Sequence, residues 1–169
     1  MLHINFPIVL LSALIPLLVG VVWYSPKVFG NFWMKAAGIS PNKPSPAQMA
    51  KTLILLVVLS IPLAFVLQFL VIHQFHFYSM LAHYPDLMVE GSEIRAFYDS
   101  TMERYGMEFR TFKHGAFHGS FSGLLLAMPI IAINGLFEQR NWKYVLIHTG
   151  YWMLCMGLMG GLICAFPGA

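Results

Sequence analysis

Charge is what this chain has least of. Asp, Glu, Lys and Arg together make up 10% of its 169 residues, against about 25% in an ordinary soluble domain. Long uncharged runs and a hydrophobic share of 58% accompany that shortage, and together they place the chain in the membrane class. Cysteine is nearly absent. Cys155 and Cys164 fall in one apolar run, nine positions apart, and a helix separates them by roughly 13 Å, beyond disulfide reach. They read as small apolar packing residues, with a free-thiol ligand role as the lesser alternative. No run alternates in the period of a strand, so a phosphate loop of the strand-loop-helix kind is excluded. No Lys or Arg precedes the first apolar run and no small-x-small site follows it, so that run is expected to be a retained span. The net charge of +3 does not point to nucleic acid. In a membrane protein it marks cytoplasmic loops.

What is present is a set of apolar runs. The expected fold is all-α, a polytopic membrane protein forming a single domain over residues 1–169. Four spans are expected at about 4–24, 52–72, 112–133 and 142–165, each near the ~20 residues that cross a bilayer. Pro16 and Pro62 fall inside the first two, where neighbouring groups satisfy the freed carbonyl. Trp23 and Tyr24 close the first span as an interfacial belt. After them Phe29, Phe32 and Trp33 recur at helical spacing and suit a short interfacial helix. Pro41, Pro44 and Pro46 mark an extended turn. The polar loop, about 79–110, holds six of the seven acids: Asp86, Glu90, Glu93, Asp99, Glu103 and Glu108. Within it, Ser92 to Tyr105 reads as an amphipathic helix, N-capped by Ser92 and stopped at Gly106, with Ile94, Phe97, Tyr98, Met102 and Tyr105 on its apolar face.

Lys27, Lys35, Lys43 and Lys51 lie in the first connection without an acid, and Arg140 and Lys143 lie in the third. The positive-inside rule then puts both termini and the long polar loop outside. Arg110 and Lys113, close to the third span, pull the other way.

Two stretches carry a resemblance. The first is Trp23-Tyr24-Ser25-Pro26 with Phe29-Gly30 and Trp33. The second includes His114-Gly115, His118-Gly119, Ala132-Ile133-Asn134-Gly135-Leu136-Phe137-Glu138, Arg140, Trp142-Lys143-Tyr144 and Gly150-Tyr151-Trp152. The chain resembles an uncharacterised family of small bacterial four-span membrane proteins, domain of unknown function family 1761, over most of its length apart from the acidic loop. The resemblance implies a multi-pass protein of the bacterial inner membrane. It brings no activity and no catalytic residues.

The candidate chemistry gathers at His114-Gly115-Ala116-Phe117-His118-Gly119-Ser120-Phe121-Ser122-Gly123. Gly115, Gly119 and Gly123 form a small-residue stripe, matched by Gly157 and Gly161 on the fourth span. Such stripes let helix backbones approach closely. They are expected to pack the third and fourth spans together, with a homo-oligomer interface as the alternative use. His114, His118 and Ser122 flank that face, and two histidines at i and i+4 can share a metal. The second span exits where the third enters, so His73 and His76 belong at the same depth as His114 and His118. His3, His83 and Glu108 fall at that end too. His148 does not, standing roughly 15 Å lower by helix rise.

Local hydrogen bonding at the interface, a transition-metal site and a protonatable transport site are all open for this cluster. For transport, His118, Ser122 and Gln68 would line the path. Copper would also suit the Met153, Met156 and Met159 ladder, which otherwise fills core gaps. At the inner turn, Asn134, Glu138 and Arg140 are expected to fix the hairpin. Nucleophilic catalysis finds no support, because no carboxylate is placed to orient His118. The partners expected are the lipid bilayer and a second copy or another membrane protein. The leading expectation is an interaction or assembly protein rather than an enzyme. The alternatives are a small transporter and a metal-binding protein.

Overall fold

The computed structural model describes residues 3–39 and 44–168; Pro41 and Lys43 lie outside them. Among the described residues every regular element is helical. Four helical stretches are long and apolar enough to cross a membrane: Phe6–Trp23, Pro46–Val71, Phe112–Phe137 and Trp142–Ala165.

The first span is two helices, α1 (Phe6–Ser12) and α2 (Ile15–Trp23). The division falls just ahead of Pro16, whose ring has no N–H to return to the preceding turn. Asn5 caps α1, accepting from the Ile8 N–H at 3.2 Å. The Tyr151 hydroxyl donates to the Pro16 carbonyl at 2.7 Å, so this stretch is tied to the fourth span. A short α3 (Gly30–Ala37) follows, with Phe32 exposed and Trp33 tilted against Tyr24 at 5.1 Å between centroids. It ends at Gly38, whose φ of 65° is the left-handed closure that glycine accepts without a Cβ penalty.

The second span, α4 (Pro46–Val71), begins six residues before the sequence suggests. The reason is local. Ser45 and Gln48 form a reciprocal capping box and proline opens the helix, so the helix nucleates ahead of its apolar run. Pro62 sits inside it without ending it. Ile72 then takes an extended conformation and α5 (His73–Leu81) sets off afresh.

A single 3₁₀ turn, Pro85–Met88, and α6 (Glu93–Tyr105) complete the polar region. Ser92 caps α6, accepting from the Arg95 N–H at 3.2 Å. The apolar face of α6 is narrower than its pattern indicates. Tyr98 is buried with Leu81 and Leu87, and Ile94 and Met102 pack against that small core. Phe97 and Tyr105 stay about half exposed, because α5 is too short to cover a wider stripe.

The third span comprises α7 (Phe112–Ser122), one wide π turn over Gly123–Ala127, and α8 (Met128–Phe137). The wide turn ends two residues before Pro129 and contains Leu125, whose carbonyl an ordinary turn would set against the proline ring. The fourth span is α9 (Trp142–Ala165), capped by Asn141.

The bundle is built around α9. Half of its most apolar window is buried, against 11–28% for the other three. The central core joins Val9 and Ala13, Ala64, Leu67, Val71 and Ile72, and Met156, Met159, Ile163 and Cys164. Met156 and Met159 are therefore core fillers.

The tightest seam is α7 on α9. A Cβ on Gly115 would strike the Gly160 carbonyl, one on Gly119 the Met156 carbonyl, and one on Gly123 the backbone of Met153. From the other side, a Cβ on Gly157 would strike the Ser120 hydroxyl and one on Gly161 the Phe112 ring. The two small faces fill each other.

Gly119→Ala should therefore lower stability in detergent by about 1–3 kcal/mol. Gly135→Ala places its methyl at ordinary contact, 3.5 Å from Val145 and 3.6 Å from Arg140, and should shift stability by less than about 0.5 kcal/mol or raise it. Thermal unfolding of the two purified variants checks this; equal losses would contradict the close-approach account.

Candidate metal centre at the end of the bundle

Three imidazoles, one from α5 and two from α7, converge where α4 gives way to α5 and α7 begins. Thr111 starts α7, its hydroxyl accepting from the His114 N–H at 3.2 Å. His114 and His118 then share one flank of the helix, each one residue before a glycine of the seam. The break at Ile72 redirects the chain, so His73 opens α5 facing them. His114 Nε2 lies 2.9 Å from His73 Nε2. The ring centroids of the three are 4.4–5.1 Å apart. One ligating nitrogen from each lies within 4.8 Å of the other two.

An ion bound at about 2.0–2.1 Å holds its nitrogens roughly 3.3 Å apart in a tetrahedral site. The observed spacings bracket that value, so small rotations of the side chains bring all three onto one ion. Among the described His, Cys, Asp and Glu residues this is the one group of three with such convergence. Phe109 backs it, edge-on to His73 at 6.0 Å and tilted against His114 at 5.0 Å. Phe109 reaches this position with a φ of 62°, a left-handed conformation costing a non-glycine residue roughly 1–2 kcal/mol. Neighbouring bonds hold it there. Its carbonyl takes the Thr111 N–H at 2.8 Å and lies 3.3 Å from the Cys164 thiol. Arg110 Nε donates to the Cys164 carbonyl at 2.9 Å.

The pKa of His73 is held below the usual imidazole range, first by desolvation and then by the charges that protonated His118 and His76 would set beside it. Such an imidazole is neutral at neutral pH, the form that binds metal.

Other residues at this depth stand apart. His76 is exposed one turn along α5. His83 Nδ1 lies 3.0 Å from the Met80 carbonyl, and the ring rests on Tyr84. His3 lies against Gly168. The Glu108 carboxylate is not among the converging donors, although Glu108 lines a groove beside His73. Gln68 is buried and donates to the Phe65 carbonyl of its own helix at 3.1 Å. Ser122 donates to the His118 carbonyl at 2.8 Å. Both hydroxyl and amide are thus directed along their helices. At the turn between the third and fourth spans Arg140 pairs with Glu138 at 3.2 Å and donates to the Ala37 carbonyl at 2.6 Å, tying the hairpin to α3. The Asn134 carbonyl receives the Glu138 N–H at 3.0 Å.

His148 lies at the other end of the bundle, in the aromatic cluster built by Trp23 and Tyr24. Its Nδ1 is 2.9 Å from the Tyr24 hydroxyl, and Tyr144 packs on its ring. The imidazole Nε2 is buried without a hydrogen-bond partner. Trp23 Nε1 donates to the Ile147 carbonyl at 3.2 Å. Neither the Tyr24–His148 bond nor the left-handed Phe109 has a sequence signature, since each depends on which span lies alongside.

Four helices apolar enough to cross a membrane, with a folded polar region between the second and third, define a multi-pass helical membrane protein. The chain belongs to the DUF1761 family, described as a protein of unknown function, whose model matches residues 8–164. That match runs through the acidic loop, which the resemblance of individual motifs does not reach. No curated protein and no solved structure matches the chain.

Tyr24→Phe leaves both nitrogens of a half-buried imidazole unpaired and should cost about 1–3 kcal/mol. Adding His148→Phe should return part of that loss, since removing both polar partners is less costly than orphaning one. Denaturant titration of the two variants and wild type tests the pairing. A single variant as stable as wild type would dismiss it.

Proposed function

We propose that this chain is a membrane protein that binds a divalent transition-metal ion of the zinc class through His73, His114 and His118. One observation carries the reading: three imidazole nitrogens, two from the third span and one from α5 just past the second, lie within 4.8 Å of one another. Imidazole donors suit zinc, copper, nickel and iron. Three protein ligands leave a fourth position open to water or another oxygen donor, as in exchangeable rather than closed sites.

Local hydrogen bonding accounts for the 2.9 Å approach of His73 and His114 but gives His118 no role. An assembly role has less support, because the glycine stripe that a second copy would use is filled by α9. A transport path along His118, Ser122 and Gln68 is disfavoured by the turn of both polar side chains toward their own backbones. The loop charges favour a bacterial inner-membrane orientation with the polar loop, and hence the triad, on the outer side.

Equilibrium dialysis of the purified full-length protein against Zn(II), followed by elemental analysis, should give about one ion per chain. His114→Ala/His118→Ala should abolish that binding, and His73→Ala should weaken it at least about tenfold. His76→Ala and His148→Ala should bind as wild type does. Zinc content unaffected by every triad substitution would refute the site.

A further inference from the structure

His73 belongs to two features at once. It is a corner of the imidazole triad, and it lines a groove of about 410 Å³ together with Gln74, Phe77, Thr101, Tyr105, Glu108 and Phe109. The groove runs between α5 and α6, directly beyond the end of the second span. Its volume is in the range of sites for small organic ligands.

The walls are mostly apolar. Phe77 stacks on Tyr98 at 5.8 Å between centroids and is thereby fixed, and Phe109 is held by its backbone bonds. The Gln74 side chain is already engaged. The Gln74 amide group donates to the Glu108 carbonyl at 2.9 Å and the Tyr105 carbonyl at 3.3 Å, so its donors serve to join α5 to the end of α6. Of the polar side chains along the groove, His73 is the one that also belongs to the triad. A metal held by the three imidazoles would share His73 with this groove.

Resting on the metal reading, we propose that the groove seats the hydrocarbon chain of a single-chain amphiphile whose oxygen-donor head group completes the coordination of the ion. Three features of the site select this occupant. The apolar walls call for hydrocarbon, the open position calls for an oxygen donor, and both meet at His73. The groove also begins at the membrane edge, where single-chain amphiphiles are concentrated. Glu108 at the rim favours a head group without a second negative charge.

The test uses Co(II)-loaded full-length protein in lipid nanodiscs, with the visible absorption of the ion as readout. Acetohydroxamate and dodecanohydroxamate carry the same chelating head and differ only in chain. Dodecanohydroxamate should bind at least about tenfold more tightly, since each methylene fully buried in an apolar groove is worth about fourfold in affinity. Partition into lipid also favours the longer chain, so the decisive comparison is with a filled groove. Thr101→Trp should bind Co(II) and acetohydroxamate as wild type does but lose most of the chain-length advantage. Thr101→Leu, a smaller obstruction, should lose part of it.

A chain-length advantage unchanged in both variants, with the Co(II) spectrum intact, would overturn the groove proposal and leave the metal site standing. Failure of the wild type to take up Co(II) or Zn(II) would bring down the metal reading itself, and with it the coordination of the head group.

Discussion

The close approach of α7 to α9 is the constraint on which the rest of the bundle depends. Three glycines on one helix face the backbone of the other, and a single added methyl at Gly115, Gly119 or Gly123 would meet main-chain atoms that cannot swing aside. Association of helices within a bilayer relies on packing rather than on expulsion of water, so contact between backbones replaces what a soluble core gains from burial. The seam also fixes rotation. With the glycines turned toward α9, His114 and His118 are set on the adjoining flank, where His73 arrives from α5. The candidate metal centre is in this sense a consequence of the seam.

A second constraint is the cost of unsatisfied polar groups in an apolar bundle. The chain meets it by joining side chains to carbonyls of other helices: Tyr151 to Pro16, Trp23 to Ile147, Arg140 to Ala37 and Arg110 to Cys164. These bonds fall where proline interrupts a helix, where a helix ends or along the flank of α9. They join the first span, α3 and the loop to the hub. Beside this economy the triad is an exception. Three imidazoles compete for few partners, and the nearest partner of one ring is another. An ion shared among the three rings, as proposed above, would resolve that crowding.

The polar loop is a folded element with its own small core of Leu81, Leu87 and Tyr98. Its packing holds α6 beside α5 and so creates the groove that His73 lines. Loop and triad thereby form one region, although the acids that make the loop conspicuous in the sequence play little part. Arg95 and Asp99 pair along α6, and the other acids lie on the exposed surface.

Much of this was legible from residue order. Hydrophobic run length determined the four spans, because a bilayer sets a minimum length. Ser92 and Gly106 determined the bounds of α6, because caps act within one turn. Glycine spacing determined that the third and fourth spans could touch, and counting depth from span ends assigned His73, His114 and His118 to one level while excluding His148. What depth cannot give is rotation about a helix axis. Only the tertiary structure decided that His73 turns toward the pair while His76, three residues on, faces away, because the extended Ile72 resets the helix there. Only the structure decided that Tyr24 meets His148 and that Phe109 adopts a left-handed conformation, since both follow from which helices lie side by side. Length and composition act along the chain, whereas a binding site is made by orientation between helices, and orientation is fixed only when they pack.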